Sequence, residues 1–228
     1  MIMEAKEYNT LIIDDHPLII EAFRNALLHI AKTTEELEFS ITEATSCDTA
    51  QHIMERYNPH KTLDLVFLDI KLPPSPTLGM LSGEDLGLEI REKHPQAKIV
   101  VATTFNDNYR IQNIFRNINP EGFVIKSDID TETLVAALME VLLDPPYYSK
   151  TVLQAIRKYI SHDYLLDKWD RHLLYELSQG TKMKELPDLM PFSLGALEKR
   201  KRQLKIVFDV EDGEDKQLLQ KARMYGFI

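Results

Sequence analysis

The sequence predicts an α/β protein: an open parallel sheet of five βα units, joined to a small all-α module. Three observations carry that reading. Short apolar runs recur, and each ends in a polar residue. Between them, apolar residues follow the i, i+3, i+4, i+7 spacing of a helix with one buried face. The charge also divides along the chain. Residues 1–162 hold 15 Lys and Arg against 24 Asp and Glu, whereas residues 163–228 hold 12 of each, so the first part carries the whole net charge of −9.

The strands come first. Leu11-Ile12-Ile13 ends in Asp14-Asp15, and Leu65-Val66-Phe67-Leu68 ends in Asp69. Ile99-Val100-Val101-Ala102 ends in Thr103, and Phe123-Val124-Ile125 ends in Lys126. Continuous apolar runs of this length suit parallel strands buried on both faces. Phe39 and Ile41 alternate with polar residues and mark a weaker strand. Helical faces lie between: Ile19, Ala22, Phe23, Ala26, Leu27 and Ile30; then Ala50, Ile53, Met54 and Tyr57; then Leu86 and Ile90 within 83–92. Ile111, Ile114, Phe115 and Ile118 form the next face, followed by Leu134, Ala137, Leu138 and Val141. Right-handed crossovers put such helices on both sides of the sheet.

Composition narrows the class. With 44% hydrophobic and 28% charged residues, disorder and collagen are excluded. The single cysteine, Cys47, has no partner in the chain and fits a reducing, cytoplasmic setting. Met1 to Tyr8 carries Glu4 and Glu7 and lacks the apolar run of a signal peptide. No stretch approaches the ~18 apolar residues of a membrane span, so no membrane partner is expected. An acidic total argues against a general nucleic-acid binder, but the total averages two unlike parts.

Open α/β sheets bind ligands beyond the carboxyl ends of their strands. That rule brings Asp14, Asp15, Asp69, Thr103 and Lys126 to one edge. Three adjacent carboxylates repel unless a cation joins them. Hard oxygen donors with no His or Cys favour Mg²⁺. A lysine and a hydroxyl beside such a metal suit a phosphoryl group. Taken singly, Asp14-Asp15 also reads as a helix-start signal, Phe123 as a plain core aromatic, and His16 as a helix-start residue.

The string Asp14-Asp15-His16-Pro17, Asp69-Ile70-Lys71-Leu72-Pro73, Ala102-Thr103 and Gly122-Phe123-Val124-Ile125-Lys126 resembles a bacterial response-regulator receiver domain over roughly residues 8–143. The resemblance implies a flavodoxin-like (βα)5 parallel-sheet fold with strand order 2-1-3-4-5. It implies that Asp69 accepts a phosphoryl group from a sensor histidine kinase. Asp14, Asp15, Asp69 and the main-chain carbonyl of Lys71 would hold Mg²⁺. Thr103 and Lys126 would contact the phosphoryl group, and Phe123 would act as the aromatic switch. One departure stands out: residues 74–82 intervene before Gly83, where the family reaches a glycine within a few residues. That enlarged loop reads either as a cover over the site or as a tolerated surface insertion.

Asp144-Pro145-Pro146 ends the last helix of this part. Val152, Ile156, Tyr159 and Ile160 then line a linker helix. Asp167 caps a helix with Leu173, Leu174 and Leu177, closed by Gly180. Glu185, Leu186 and Leu189 suggest a short second helix, and Ser193 caps a third with Leu197 and Leu204 on its buried face. Two short helices and a tight turn, the second helix basic, are a helix-turn-helix signature. The region resembles the output domain of NarL/LuxR-type response regulators. That match implies double-stranded DNA as partner, with Lys199 and Arg202 facing the major groove and Arg200, Lys205 and Lys182 nearer the phosphates. Pro187 should shorten or kink the supporting helix unless that helix starts at Pro187. Ala196 in place of threonine, Glu198 on the DNA-facing side and the acidic run 209–215 bear on affinity.

The expected layout is thus a receiver at 1–143, a linker with a helix at 144–162, and a LuxR-like helix-turn-helix DNA-binding domain at 163–228. The expected function is a phosphorylation-switched transcription regulator that forms a homodimer when phosphorylated. The alternative is a signalling adaptor whose degenerate helix-turn-helix binds protein. An Asp-nucleophile phosphatase needs a second acid two residues after the nucleophile, and Lys71 stands there. No other catalytic motif is present, so no enzyme is expected beyond assistance to its own phosphotransfer and autodephosphorylation.

Overall fold

The computed structural model describes residues 5–57, 61–105, 108–158, 166–210 and 214–228. In chain order the elements are β1 (Lys6–Ile13), α1 (Pro17–Thr33), β2 (Leu37–Ala44), α2 (Cys47–Met54), β3 (Leu65–Asp69), α3 (Gly83–Lys93), β4 (Lys98–Thr103), α4 (Asn108–Ile118) and β5 (Gly122–Ile125). A one-turn 3-10 helix, Lys126–Asp128, leads to α5 (Thr131–Leu143), β6 (Tyr147–Tyr148) and α6 (Lys150–Lys158). The C-terminal part holds α7 (Lys168–Ser178), a 3-10 turn at Leu186–Asp188, α8 (Leu194–Val207) and α9 (Asp215–Met224).

All strand pairs are parallel, in the order β2-β1-β3-β4-β5-β6. The first five strands reproduce the flavodoxin-like order expected from the sequence. β6 extends it by two residues, pairing Tyr147 with Gly122 and Tyr148 with Phe123. Two residues are too few to show a period, which is why the sequence pattern leaves them in the linker. β3 is buried at every position, as a central strand should be, while β2 at the edge is half-buried and packs Phe39 and Ile41 on the core. Phe23 from α1 meets Phe67 from β3 with ring centroids 4.5 Å apart.

Helix starts follow their local chemistry. Ser46 with Thr49 and Asp130 with Thr133 form reciprocal capping boxes for α2 and α5. Pro17 opens α1, where a missing amide costs no hydrogen bond. Cys47 is fully buried, and burial, with Asp85 and Asp48 nearby, pushes its thiol up to about 11. Such a thiol stays protonated and unreactive at neutral pH.

The chain separates into two compact units, Met1–Asn106 with Asn117–Gln154, and Asp107–Arg116 with Ala155–Ile228. The second unit has its own core of Leu166, Leu173, Leu174, Leu186, Met190, Leu197, Leu204, Phe208, Leu218, Ala222 and Phe227. Within it, α4 contributes polar side chains that are buried and engaged. Asn113 donates to the Leu166 carbonyl at 3.2 Å and accepts from the Leu166 amide at 2.9 Å. Gln112 donates to the Ala155 carbonyl at 3.1 Å, and the Arg110 guanidinium lies 4.6 Å from the Phe227 ring centre.

The supporting helix expected around Glu185 to Leu189 is a single 3-10 turn with Pro187 inside its start. Pro187 stands in the first turn of this element, where its missing amide costs no hydrogen bond, so it marks a start and leaves no room for an earlier helical turn. Val152 is buried on α6 and Ile156 is half-buried, whereas Tyr159 and Ile160 lie outside the described residues.

One close approach fixes the backbone at the end of β3. A Cβ built on Gly83 would stand 1.9 Å from the Asp69 carbonyl oxygen. The Gly83 amide instead donates to Ile70 O at 3.1 Å, seating α3 against the end of β3. Gly83→Ala must push these backbones apart. It should destabilise the first unit by about 1–3 kcal/mol, read as a lower urea midpoint, whereas Gly195→Ala, inside α8 with open space around it, should not lower the midpoint.

Candidate phosphoacceptor and nucleic-acid sites

The carboxyl ends of β1, β3 and β5 converge on one charged cluster. Asp69 closes β3 and Asp14 follows β1, and each is 2% exposed. Lys126 opens the turn after β5, and its ammonium joins the two acids, 2.7 Å from Asp69 Oδ2 and 2.6 Å from Asp14 Oδ2. The Lys126 side chain is itself only 9% exposed. Asp69 Oδ1 accepts from the Lys71 amide at 2.9 Å, and Asp14 Oδ1 from the His16 amide at 3.0 Å. Burial pushes the Asp14 carboxyl up, the Lys126 hydrogen bond opposes this, and the Asp69 charge adds to the rise, leaving the group above its ordinary value.

Asp15 is more exposed and sits beside His16, whose Nδ1 lies 2.6 Å from Asp15 Oδ1 and 3.3 Å from Asp14 Oδ1. Oxygen atoms of Asp14, Asp15 and Asp69 and a ring nitrogen of His16 all fall within 4.8 Å of one another. An acidic cluster of this kind is typical of a divalent metal site, and its carboxylate oxygens suit a hard cation.

The other expected site residues occupy distinct positions. Thr103 is fully buried at the end of β4, and its hydroxyl accepts from the Phe105 amide at 3.2 Å. Phe123 is fully buried within β5, opposite Val101. Lys71 is exposed, and its amide is already committed to Asp69. The enlarged loop is an ordered miniature hairpin. Ser75 and Met80 exchange backbone hydrogen bonds of 2.8 and 3.1 Å, and Gly79 turns the chain at φ 63°. Thr77 donates to Asp48 at the start of α2, and the Ser75 and Thr77 hydroxyls lie 2.9 Å apart.

Three participants escape the sequence pattern. Asp128, two residues past Lys126, accepts from Ser149 Oγ at 2.7 Å, Thr151 Oγ1 at 2.9 Å and the Thr151 amide at 3.1 Å. Burial acts to raise the Asp128 carboxyl, but these hydrogen bonds and Lys150 outweigh it, and the group lies below its ordinary value. The available signal is Ser149 standing just before the linker helix, where a cap is expected.

In the second unit, Lys199 and Arg202 on α8 and Lys182 before it are exposed. The other two basic residues are engaged. Arg200 pairs with Asp170 at 2.7 Å and Asp167 at 3.0 Å, and its guanidinium lies 4.8 Å from the Phe192 ring centre. Lys205 and Lys201 share Asp215, each at 2.9 Å. Of the acidic run, Asp215 thus ties α9 to α8, while residues 211–213 lie outside the described residues.

Residues 10–139 match the response regulator receiver domain family. The chain belongs to that family. It is 22% identical over 213 residues to the oxygen regulatory protein NreC of Staphylococcus haemolyticus (strain JCSC1435), covering 88% of this chain and 91% of that protein. The NreC of Staphylococcus aureus (strain JH9) is 23% identical over 203 residues, covering 84% and 86%. Among solved structures, RcsB from Salmonella enterica serovar Typhimurium, bound to promoter P1flhDC with the phosphomimetic BeF3⁻, superposes with a TM-score of 0.59 at 18% identity, over 95% of this chain and 98% of that one. That likeness extends the shared fold through the C-terminal helices.

Removing Lys126 leaves two buried carboxylates facing each other. Lys126→Met should therefore cost about 3 kcal/mol in metal-free buffer at pH 7, measured by urea unfolding, with part of the loss recovered when a divalent cation is added. An unchanged midpoint would show that the ammonium does not hold these acids.

Proposed function

We propose that this response regulator is switched by phosphorylation of Asp69 and acts on DNA through its C-terminal helices. The observation that carries the reading is the Lys126 ammonium seated between Asp14 and Asp69. A phosphoryl group on Asp69 adds charge and acceptor oxygens at that point, and Lys126 is positioned to neutralise them. Phosphoryl transfer depends on positioning and charge neutralisation more than on covalent chemistry by side chains. Asp69 attacks the phosphorus of a phosphohistidine on a sensor kinase; the P–N bond breaks and the imidazole leaves. Mg²⁺ held by Asp14, Asp15, Asp69 and the Lys71 carbonyl would supply the remaining neutralisation. Thr103 would release the Phe105 amide to bind a phosphoryl oxygen, and Phe123 would follow into the space left. Apart from this assistance to its own phosphorylation and dephosphorylation, the chain performs no catalysis.

The domain reading that accompanies this is a receiver at 1–143, a linker at 144–162 and an output domain at 163–228. The RcsB structures include two dimers bound to two parallel DNAs, which supports a homodimer of this chain on paired half-sites. Lys199 and Arg202 are the proposed base-facing residues, with Lys182 on phosphate. Arg200 and Lys205 act in part through Asp167, Asp170 and Asp215, so they contribute to DNA binding and to the module's stability alike. Among the described residues no helix is long and apolar enough to cross a membrane. The proposed setting is the cytoplasm, where DNA and the phosphohistidine of a sensor kinase would both be within reach.

A small phosphoryl donor with Mg²⁺ should label the parent chain and not Asp69→Asn. Selection from a random DNA pool, with and without the donor, should recover a sequence. Binding should fall steeply with salt; Lys199→Glu with Arg202→Glu should weaken it at least tenfold and relax the sequence preference, whereas Lys182→Ala should flatten the salt slope by about one unit. Failure to recover any DNA, with normal Asp69 labelling, would overturn the DNA reading and leave the receiver reading intact.

A further inference from the structure

The residue that fixes the start of the linker helix stands on the same single helical turn as the lysine of the acceptor cluster. Lys126 opens the 3-10 turn and Asp128 closes it. Lys126 reaches Asp14 and Asp69, while the Asp128 carboxylate accepts from the amide and hydroxyl of Thr151 and from the hydroxyl of Ser149. A carboxylate at a helix N-terminus meets its unpaired amides and its positive dipole end. Ser149 adds a second grip. It is 3% exposed, its amide donates to Phe123 O at 2.9 Å, and its hydroxyl accepts from the Ile125 amide at 3.3 Å. The first turn of α6 is therefore held by three residues, Phe123, Ile125 and Asp128, of the short segment that also carries Lys126.

We propose that Asp128 is a positioning residue that transmits the state of Asp69 to the linker helix through this one turn. The inference rests on Asp69 being the phosphoacceptor. When Lys126 exchanges its partner Asp14 for a phosphoryl oxygen, the 126–128 turn moves with it. Lys126 and Asp128 stand two residues apart on this one turn, so a shift of the first is passed along a single turn of backbone to the second. Asp128 then carries Thr151 and Ser149 along, or releases them. Because α6 leads the chain into the C-terminal helices, its first turn is where a change at the acceptor edge enters the linker.

Hydrogen exchange on the full chain tests this, with acetyl phosphate and Mg²⁺ as donor and Asp69 occupancy followed by mass. In the parent, phosphorylation should change protection of the amides from Thr151 to Gln154. In Asp128→Asn, Thr151 should lose about tenfold or more of its protection before phosphorylation, the change expected when a hydrogen bond to a charged group is lost. Phosphorylation should then no longer alter this segment, although Asp69 is still labelled. Ser149→Ala keeps the carboxylate and should reduce the response without abolishing it. It also serves if Asp128→Asn does not fold. A labelled parent with an unchanged 151–154 segment, or an undiminished response in both variants, overturns the inference alone. A parent not labelled at Asp69 overturns the acceptor reading and this inference with it.

Discussion

The charged cluster at the carboxyl edge of the sheet depends on one buried ammonium held between two buried carboxylates. Without a positive charge there, Asp14 and Asp69 would face each other in a site that water scarcely reaches, and that arrangement is costly. Lys126 solves the problem only because β5 delivers it to the same edge as β1 and β3. Parallel strands that start on one side of a sheet end on the other, so each strand's last residue falls on a common rim. The fold thus gathers residues far apart in the chain, Asp69 and Lys126 among them, and the apolar strand cores make that gathering rigid.

This constraint explains why the first unit is legible in the sequence. Each strong strand announces itself by an apolar run and a polar stop, and the stops at Asp14, Asp69 and Lys126 are the residues that meet. Periodicity carries little beyond that. Tyr147 and Tyr148 form a sixth strand too short to display a pattern. The hairpin at 75–80 draws its order from Ser75, Thr77 and a distant Asp48, an interaction that no local rule supplies. Asp128 belongs to the same group: its partners lie over twenty residues downstream, and only the tertiary fold brings them to it.

The second unit shows where charge counting stops. Its basic residues read as one patch in the sequence, yet they divide by partner. Lys199 and Arg202 are exposed, Arg200 is drawn to Asp167 and Asp170, and Lys201 and Lys205 to Asp215. Asp215, the last member of the acidic run, therefore offsets Lys201 and Lys205, while Lys199 and Arg202 stay exposed on α8 beside the exposed Glu198. The place of Pro187 at the start of its short turn is legible from sequence, because a fixed φ and a missing amide act through local geometry alone. The ion pairs are not, because they depend on how α7, α8 and α9 pack.

The most direct test of the central arrangement is a crystal structure of the chain with Mg²⁺ and beryllofluoride, a stable mimic of a phosphoryl group. The account predicts the adduct on Asp69, with the Lys126 ammonium moved from Asp14 onto a fluorine and the metal taking up the freed Asp14 oxygen. An adduct on another residue, or an Asp69 adduct with Lys126 still paired to Asp14, would contradict it.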